Sequence, residues 1–249
     1  MNTKEIRKII IDSAHHAGHG HIPSGLSIVE ILVAIDKIKT EDDIFVLSKG
    51  HGCLGYYAYL VQKGELTIDD VKNFGKKGSN LGGHPDRNKI RDVYASTGSL
   101  GHGFPISVGS ALAKKIKGEN GRVFCLIGDG EANEGTIWES CMIAATNNLS
   151  NLICIVDNNK SQERSLPSVQ LYDKFDSFGW STIEVDGHNQ EQLIKAFEYA
   201  KTYISPTMIV ANTVKGKGIS EIENDMFAWH HRAPTEEEYK RFCEEIYEN

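Results

Sequence analysis

The chain has 249 residues, of which 40% are hydrophobic and 24% are charged, and its formal net charge is -7. This composition is typical of an ordinary globular protein and excludes a disordered chain. The acidic balance provides no basic surface for nucleic acid. The length lies within the upper range for one α/β domain, so residues 1–249 are expected to form a single domain.

The first residues, MNTKEIRKIIIDSAHHAG, are charged and then amphipathic, and they lack the uninterrupted apolar core of a signal peptide. No run of about 18 apolar residues follows, so no membrane span is predicted. The five cysteines form no CxxC pair, which argues against a metal cluster or a disulfide framework. We therefore expect a cytoplasmic protein with reduced thiols.

Apolar periodicity predicts alternating helices and strands. Apolar residues at helical spacing predict one helix over 3–17 and a second over 26–38. Proline and threonine followed by acidic residues in PTEEEYKRFCEEIYEN predict a last helix at the C-terminus. Short apolar runs predict buried strands at 43–48, 122–128, 151–157, 181–185 and 207–214. Helical stretches are predicted between them at 51–63, 102–117, 134–148, 170–178 and 189–203. This alternation predicts an α/β fold with a doubly wound, mostly parallel sheet and helices on both faces.

Polar turns follow two of the predicted strands. Asp129 lies between two glycines in a GDG turn, and Asn159 ends a DNN turn 30 positions later. That separation suits one strand–helix–strand unit, which returns both side chains to the same edge of the sheet. Ligands of open α/β sheets bind at the carboxyl ends of the strands. We therefore expect Asp129 and Asn159 to share one site.

A diphosphate would suit these two turns if a cation lies between it and Asp129. Two negative charges about 4 Å apart repel by roughly 4 kcal/mol at an effective dielectric constant of about 20. A Mg²⁺ ion could take the Asp129 carboxylate, the Asn159 amide oxygen, a backbone carbonyl and phosphate oxygens as ligands. Gly128 and Gly130 would let the backbone approach the phosphates closely. The alternative is that GDG is a plain turn and that the asparagines cap the next element.

Both turns together, with the strands before them, resemble the fingerprint of thiamine diphosphate enzymes. Four further stretches resemble the amino-terminal half of transketolases, in the order in which that family has them. These are GHGHIPSGLSIVEIL at 18–32, FVLSKGHGCLGYYAYL at 45–60, GGHPDRNKI at 82–90 and STGSLGHGFPISVGSALA at 96–113. The resemblance covers most of the chain and implies the thiamine diphosphate-binding fold, with thiamine diphosphate and Mg²⁺ as cofactors.

The resemblance implies a role for each matching residue. The family's Mg²⁺ ligands are matched by Asp129, Asn159 and the backbone carbonyl of Ser161. Residues that contact the cofactor are matched by His51, Gly98, Ser99, Leu100, Gly130, Glu131, Asn159 and His230. Glu134 matches an acid at the subunit interface that links paired cofactor sites, so it belongs to the same cofactor-binding set. The catalytic histidines are matched by His21, His51 and His84. Of these, His21 and His84 match histidines that hydrogen-bond sugar hydroxyls and assist proton transfer, and His51 matches one near the diphosphate.

Alternatives stay open for other histidines. His19 lies two residues before His21 and would be the true equivalent if the loop register shifts, although His21 aligns LSIVEIL without a gap. His102 fits the edge of the site and an ordinary surface position equally well. A surface or capping role is the interpretation of His15, His16 and His188.

The family transfers a two-carbon ketol unit from a ketose to an aldehyde, and the glutamate that activates its cofactor lies in a pyrimidine-binding domain. This chain ends at residue 249, before such a domain could begin. The resemblance therefore implies a partner, the C-terminal transketolase subunit, which carries the pyrimidine-binding domain. We expect an assembly of two copies of each chain (α2β2), acting on small sugars or sugar phosphates.

Departures from the family pattern leave the substrate open. The loop at 21–25 reads HIPSG where His-Pro-Gly-Gly is usual, and SQERSLPS follows DNN where an Asp-Gly turn is common. An ordinary pentose phosphate and a specialised sugar phosphate or sulfosugar both remain candidates. Three other functions are alternatives: the α subunit of a 2-oxo acid dehydrogenase, a deoxyxylulose-phosphate-synthase-like subunit, and a non-catalytic scaffold.

Overall fold

Five parallel strands form the centre of the chain in the computed structural model, which describes residues 1–164, 166 and 170–248. The strands are β1 (Ile44–Leu47), β2 (Val123–Gly128), β3 (Leu152–Asn158), β4 (Ser181–Asp186) and β5 (Thr207–Asn212). Their order in the sheet is β1-β2-β3-β5-β4, and every neighbouring pair is parallel. Each strand lies where an apolar run predicted one, so the predicted α/β fold with a parallel sheet is confirmed.

Both faces of the sheet are covered, which explains why its central strands are continuously apolar. In β2, Phe124 and Leu126 pack into one hydrophobic cluster, whereas Cys125 and Ile127 pack into another on the opposite face. Successive side chains of a strand point to opposite faces, so a sheet buried on both sides needs apolar residues at every position. The same alternation places β3 residues in both clusters.

Eleven helices are seen within the described residues. They are α1 (Thr3–Ala17), α2 (Ile22–Leu26), α3 (Val29–Ile38), α4 (Cys53–Lys63), α5 (Ile68–Lys72), α6 (Gly103–Lys117), α7 (Gly135–Thr146), α8 (Leu171–Ser177), α9 (Gln190–Ala200), α10 (Ser220–Asn224) and α11 (Glu236–Glu248). Helices α6 to α8 cover one face of the sheet, and the others contribute to the core on the opposite face. No helix in this part of the chain has the length and apolar character needed to cross a membrane.

The helix predicted over 26–38 is present as α3, which begins three residues later, and the loop predicted before it contains the short helix α2. A turn divides α2 from α3. The division falls at Ser27, whose hydroxyl donates a 2.7 Å hydrogen bond to the carboxylate of Asp157 at the end of β3. Helices α5 and α10 were not predicted, since five residues are too few to show a helical period.

The parallel arrangement brings the segments after β1, β2, β3 and β5 to the same edge of the sheet. Gly128 and Asp157 are register partners, and the amide of Asp129 donates to the carbonyl of Asp157 at 3.2 Å. The GDG turn and the DNN turn are therefore neighbours, as their separation of one strand–helix–strand unit predicts.

Helices α2 and α4 cross with their backbones in contact, and this contact requires glycine. A Cβ atom on Gly55 would lie 2.6 Å from the carbonyl oxygen of Gly25, and a Cβ on Gly25 would lie 2.9 Å from the amide nitrogen of Gly55. Because α2 follows the loop that carries His21, this crossing helps to fix that loop.

We predict that Gly55→Ala destabilises the chain by about 2 kcal/mol, since the added methyl group forces the two helices apart. Urea denaturation measures the change. The matched control is Gly109→Ala in α6, where a Cβ atom meets nothing within 4 Å; here alanine should stabilise by about 0.5 to 1 kcal/mol through its higher helix propensity. Equal effects at the two positions would contradict the close packing of α2 on α4.

Candidate active site

A cavity of about 440 Å³ opens at the carboxyl edge of the sheet. It is lined by His21, Lys49, His51, His84, Gly98, Leu100, Gly128, Asp129, Gly130, Glu131, Asn159, Ser161, Gln162, Lys215 and His230. Most of the residues assigned from the resemblance are thus brought together. Ser99 and Glu134 are exposed and are not among the lining residues.

The floor of this cavity is organised by a buried ion pair between Lys49, after β1, and Asp157, at the end of β3. Both side chains are fully buried, and the Lys49 ammonium donates directly to the Asp157 carboxylate. The same carboxylate accepts from the hydroxyls of Ser27 and Thr213 and, at 2.8 Å, from the Asn159 amide. Burial alone would raise the pKa of Asp157, but the Lys49 charge and these donors hold it below its ordinary value.

Asn159 is oriented by this network. Its amide nitrogen donates to Asp157, and its amide oxygen therefore faces the backbone amide of Ser161, which donates to it at 3.2 Å. The hydroxyl of Ser161 in turn donates to the carboxylate of Asp129 at 2.8 Å, as does the amide of Gly130. Asp129, Asn159 and Ser161, the three residues predicted to hold Mg²⁺, are consequently linked in one cluster by hydrogen bonds from the Ser161 amide and hydroxyl.

The chemistry of this cluster fits a hard divalent cation. Asp129 is only 2% exposed, and burial raises the pKa of its carboxyl group, a penalty that a bound cation would offset. No group of three or more His, Cys, Asp or Glu that could hold a metal occurs in the part of the chain that the structure describes. A Mg²⁺ ion here would instead take one carboxylate, one amide oxygen and a backbone carbonyl, with a phosphate ligand completing its oxygen shell.

Glu131 joins two of the loops that line the cavity. Its buried carboxylate accepts from the Ser48 hydroxyl at 2.5 Å, the Gly101 amide at 2.9 Å and the Gly128 amide at 3.2 Å. These bonds hold the GDG turn against the loop that carries Gly98 and Leu100. Its three contacts within the chain show that Glu131 positions these loops. Its contact with the cofactor stays a prediction.

Glycines in these loops allow side chains to pack directly on the backbone. A Cβ atom on Gly130 would lie 2.5 Å from the Gln162 amide nitrogen, and one on Gly98 would lie 3.1 Å from the ring of His84. Gly98 also has a φ of 153°, a conformation that favours glycine. These two positions shape the walls of the cavity.

Histidine rings surround one side of the cavity. The centroid of the His21 ring lies 5.6 Å from that of His51, 5.2 Å from that of His230 and 4.5 Å from that of His231. Burial and neighbouring cationic groups lower the pKa of His21 to about 3 and that of His51 to about 2. Partial burial shifts the pKa values of His84 and His230 downward too. Near pH 7 the two more buried rings are neutral, so they can donate or accept hydrogen bonds to hydroxyl groups.

His19 and His21 differ in where their rings pack. The His19 ring lies 5.4 Å from that of Phe74 and against the backbone of Gly75, and it does not line the cavity. His21 does line it. His102 is exposed at the start of α6, with its ring against the carbonyl of Leu100, and is also outside the lining.

Sequence reasoning missed two buried lysines in this site. Lys49 is fully buried, and Lys215 is 4% exposed with a pKa lowered to about 8 by burial and by Lys49. Both follow strands that were correctly predicted, β1 and β5, so their place at the carboxyl edge was a usable signal. Gln162 and His231 were missed as well. Residues 165, 167 and 168 of the SQERSLPS departure lie outside the described residues.

The chain is similar to several known proteins. The family described as "Transketolase, thiamine diphosphate binding domain" matches residues 1–245. The chain is 37% identical to one of the subunits of the apulose-4-phosphate transketolase of Actinobacillus succinogenes, over 96% of this chain and 92% of that protein. It is 38% identical to 6-deoxy-6-sulfo-D-fructose transketolase subunit SqwG of a Clostridium species, over 97% of this chain and 93% of that protein.

A solved structure of transketolase from Campylobacter jejuni superposes with a TM-score of 0.88 at 29% identity, covering 99% of this chain and 43% of that one. The chain therefore spans less than half the length of that transketolase. It belongs to the family of transketolase thiamine diphosphate-binding domains, and the resemblance inferred from its histidine and glycine motifs is confirmed.

We predict that Lys49→Met destabilises the chain by about 3 kcal/mol or more, because it leaves the Asp157 carboxylate buried without its cation. Chemical denaturation at neutral pH measures the loss. Lys63→Met is the control, since its 3.1 Å ion pair with Asp36 is partly exposed, and its loss should cost less than about 1 kcal/mol. Similar losses of unfolding free energy in both variants would show that the buried ion pair contributes no more to stability than an exposed one.

Proposed function

We propose that this chain is the cofactor-diphosphate-binding subunit of a two-subunit transketolase, which transfers a two-carbon ketol unit from a ketose or ketose phosphate to an aldose acceptor. The observation that carries the proposal is the convergence of Asp129, Asn159 and Ser161 beside the buried ammonium of Lys215 in one cavity. An oxygen cluster for a cation next to a buried positive charge is suited to an anionic tail such as a diphosphate.

The proposed cofactors are thiamine diphosphate and Mg²⁺, of which the family description supports the first. Asp129, Asn159 and the Ser161 carbonyl would hold the ion, and Lys215 would neutralise charge on the diphosphate. When bound, thiamine diphosphate supplies the carbanion that cleaves and forms carbon–carbon bonds next to a carbonyl. The chain's part is to bind this group and to orient it.

The histidines are proposed to act on the sugar. His21, His51 and His84 line the same cavity, and the lowered pKa values of His21 and His51 keep these rings neutral. A neutral imidazole can accept a hydrogen bond from one sugar hydroxyl and donate one to another oxygen through its second ring nitrogen. His51 and His230 are also proposed to lie against the cofactor, with Gly98, Ser99, Leu100, Gly130, Glu131 and Glu134.

A partner subunit is part of this proposal. The two relatives named as transketolase subunits are similar to this chain over nearly all of their length, whereas the chain covers 43% of the Campylobacter transketolase. We propose that residues 1–249 form one domain and that the C-terminal subunit supplies the pyrimidine-binding domain, in an α2β2 assembly. The free thiols of all five cysteines favour a cytoplasmic location.

Thiamine diphosphate and Mg²⁺ should bind the chain when the partner is present, and titration calorimetry measures this. Asp129→Asn keeps the shape of the side chain but removes its charge, so we expect affinity to fall about 100-fold, or roughly 2.7 kcal/mol. Asp173→Asn, at an exposed acid of α8, is the matched control and should leave affinity unchanged. Absence of binding by the unaltered complex would favour a non-catalytic scaffold.

Activity separates the enzyme classes. With the partner, expected from a neighbouring open reading frame, the chain should transfer a ketol unit from a ketose donor to ribose phosphate and should not act on pyruvate. Activity with pyruvate alone would favour a 2-oxo acid dehydrogenase or a synthase-like subunit. Robust ketol transfer by the purified chain without a partner would refute the split enzyme.

The affinity for the diphosphate should fall in alkaline solution. Burial lowers the pKa of Lys215 to about 8, and a bound diphosphate favours the charged ammonium, so binding takes up a proton above that pH. We expect affinity to fall by about tenfold between about pH 7.5 and about pH 9. Lys215→Met should bind more weakly with little change over this range, and an unaltered pH profile in that variant relative to the natural chain would contradict the role of Lys215.

A further inference from the structure

Three side chains from separate segments form a largely buried chain of hydrogen bonds. Arg7 of α1 and Glu30 of α3 are 8% and 7% exposed, and one guanidinium nitrogen donates to both Glu30 oxygens at 2.7 and 3.0 Å. His188, in the turn between β4 and α9, places its Nδ1 atom 2.9 Å from the Oε2 atom of the same carboxylate. None of these residues lines the cavity.

The hydrogen bonds of His188 fix its tautomer. The backbone amide of Val214 donates to Nε2 at 2.8 Å, and an amide can donate only to a ring nitrogen that carries no proton. The ring proton therefore lies on Nδ1 and is donated to Glu30. The imidazole therefore connects the buried Arg7–Glu30 pair to the backbone amide of Val214 through two hydrogen bonds.

Arg7 binds the backbone that follows Val214, on the other side of Lys215. Its Nε atom donates to the carbonyl of Lys217 at 2.9 Å, while the amide of Gly216 donates to the carbonyl of Pro23 at 3.2 Å. The segment after β5 is consequently fixed on both sides of Lys215, whose side chain lines the cavity.

We propose that Arg7, Glu30 and His188 are positioning residues that hold the backbone of Lys215 so that its ammonium is presented to the diphosphate. The inference rests on the proposed function. A lysine ammonium sits on a flexible stem and loses conformational entropy when it is fixed on a ligand. Holding the backbone at residues on either side of Lys215 reduces the freedom that remains to be lost on binding.

The test measures, by calorimetry, binding of inorganic pyrophosphate with Mg²⁺ to the full chain in complex with its partner subunit. His188→Phe keeps a ring but removes both hydrogen bonds, and we expect affinity to fall about tenfold. His188→Gln retains one donor and one acceptor, so it should bind within about twofold of the natural chain. His16→Phe, at an exposed histidine of α1, is the control. Should His188→Phe fail to fold, His188→Leu replaces it.

A double-mutant cycle separates positioning from general destabilisation. If His188 acts through Lys215, His188→Phe should have no further effect on pyrophosphate affinity in a Lys215→Met background. A Phe variant that loses stability but keeps its affinity, or that weakens binding equally with and without Lys215, would overturn the inference. So would ¹⁵N NMR of the natural chain showing the His188 proton on Nε2.

Failure of the proposed function gives a different result. In that case the natural complex binds no pyrophosphate, or Lys215→Met leaves the affinity for pyrophosphate unchanged. Either result refutes the positioning role together with the proposed function. If the natural chain binds and Lys215→Met weakens binding, while His188→Phe has no effect, only the positioning role is overturned.

Discussion

The buried carboxylate of Asp157 holds together the segments that form the site. It lies at the end of a central strand, fully buried, and accepts hydrogen bonds from Lys49, Ser27, Thr213 and Asn159. These donors come from the ends of three strands and from the break between two helices. A charge in this position is tolerated only because it is paired and hydrogen-bonded on all sides, so the four segments cannot move independently.

The titratable groups that line the cavity differ in charge. Burial keeps His21 and His51 neutral, whereas the positive charges at the floor come from Lys49 and Lys215. The Lys49 ammonium forms an ion pair with Asp157. The Lys215 side chain extends from the segment after β5 and lines the cavity. One pocket therefore offers both a cationic group and neutral rings that can form hydrogen bonds.

Much of the fold and part of the site could be predicted because their causes are local. Strands buried on both faces must be continuously apolar, and one strand–helix–strand unit returns Asp129 and Asn159 to the same edge. The break between α2 and α3 could not be predicted, since Ser27 is bonded to Asp157, 130 positions away in the sequence. Lys215 was missed because a lysine in a loop is usually solvated, and only tertiary packing shows its burial.

A crystal structure of the chain with its partner, thiamine diphosphate and Mg²⁺ tests the central claim most directly. We expect one Mg²⁺ ion held by the Asp129 carboxylate, the Asn159 amide oxygen and the Ser161 carbonyl at about 2.1 Å, with the diphosphate beside it. An ion bound elsewhere, or a cofactor whose diphosphate lies away from both turns, would contradict it.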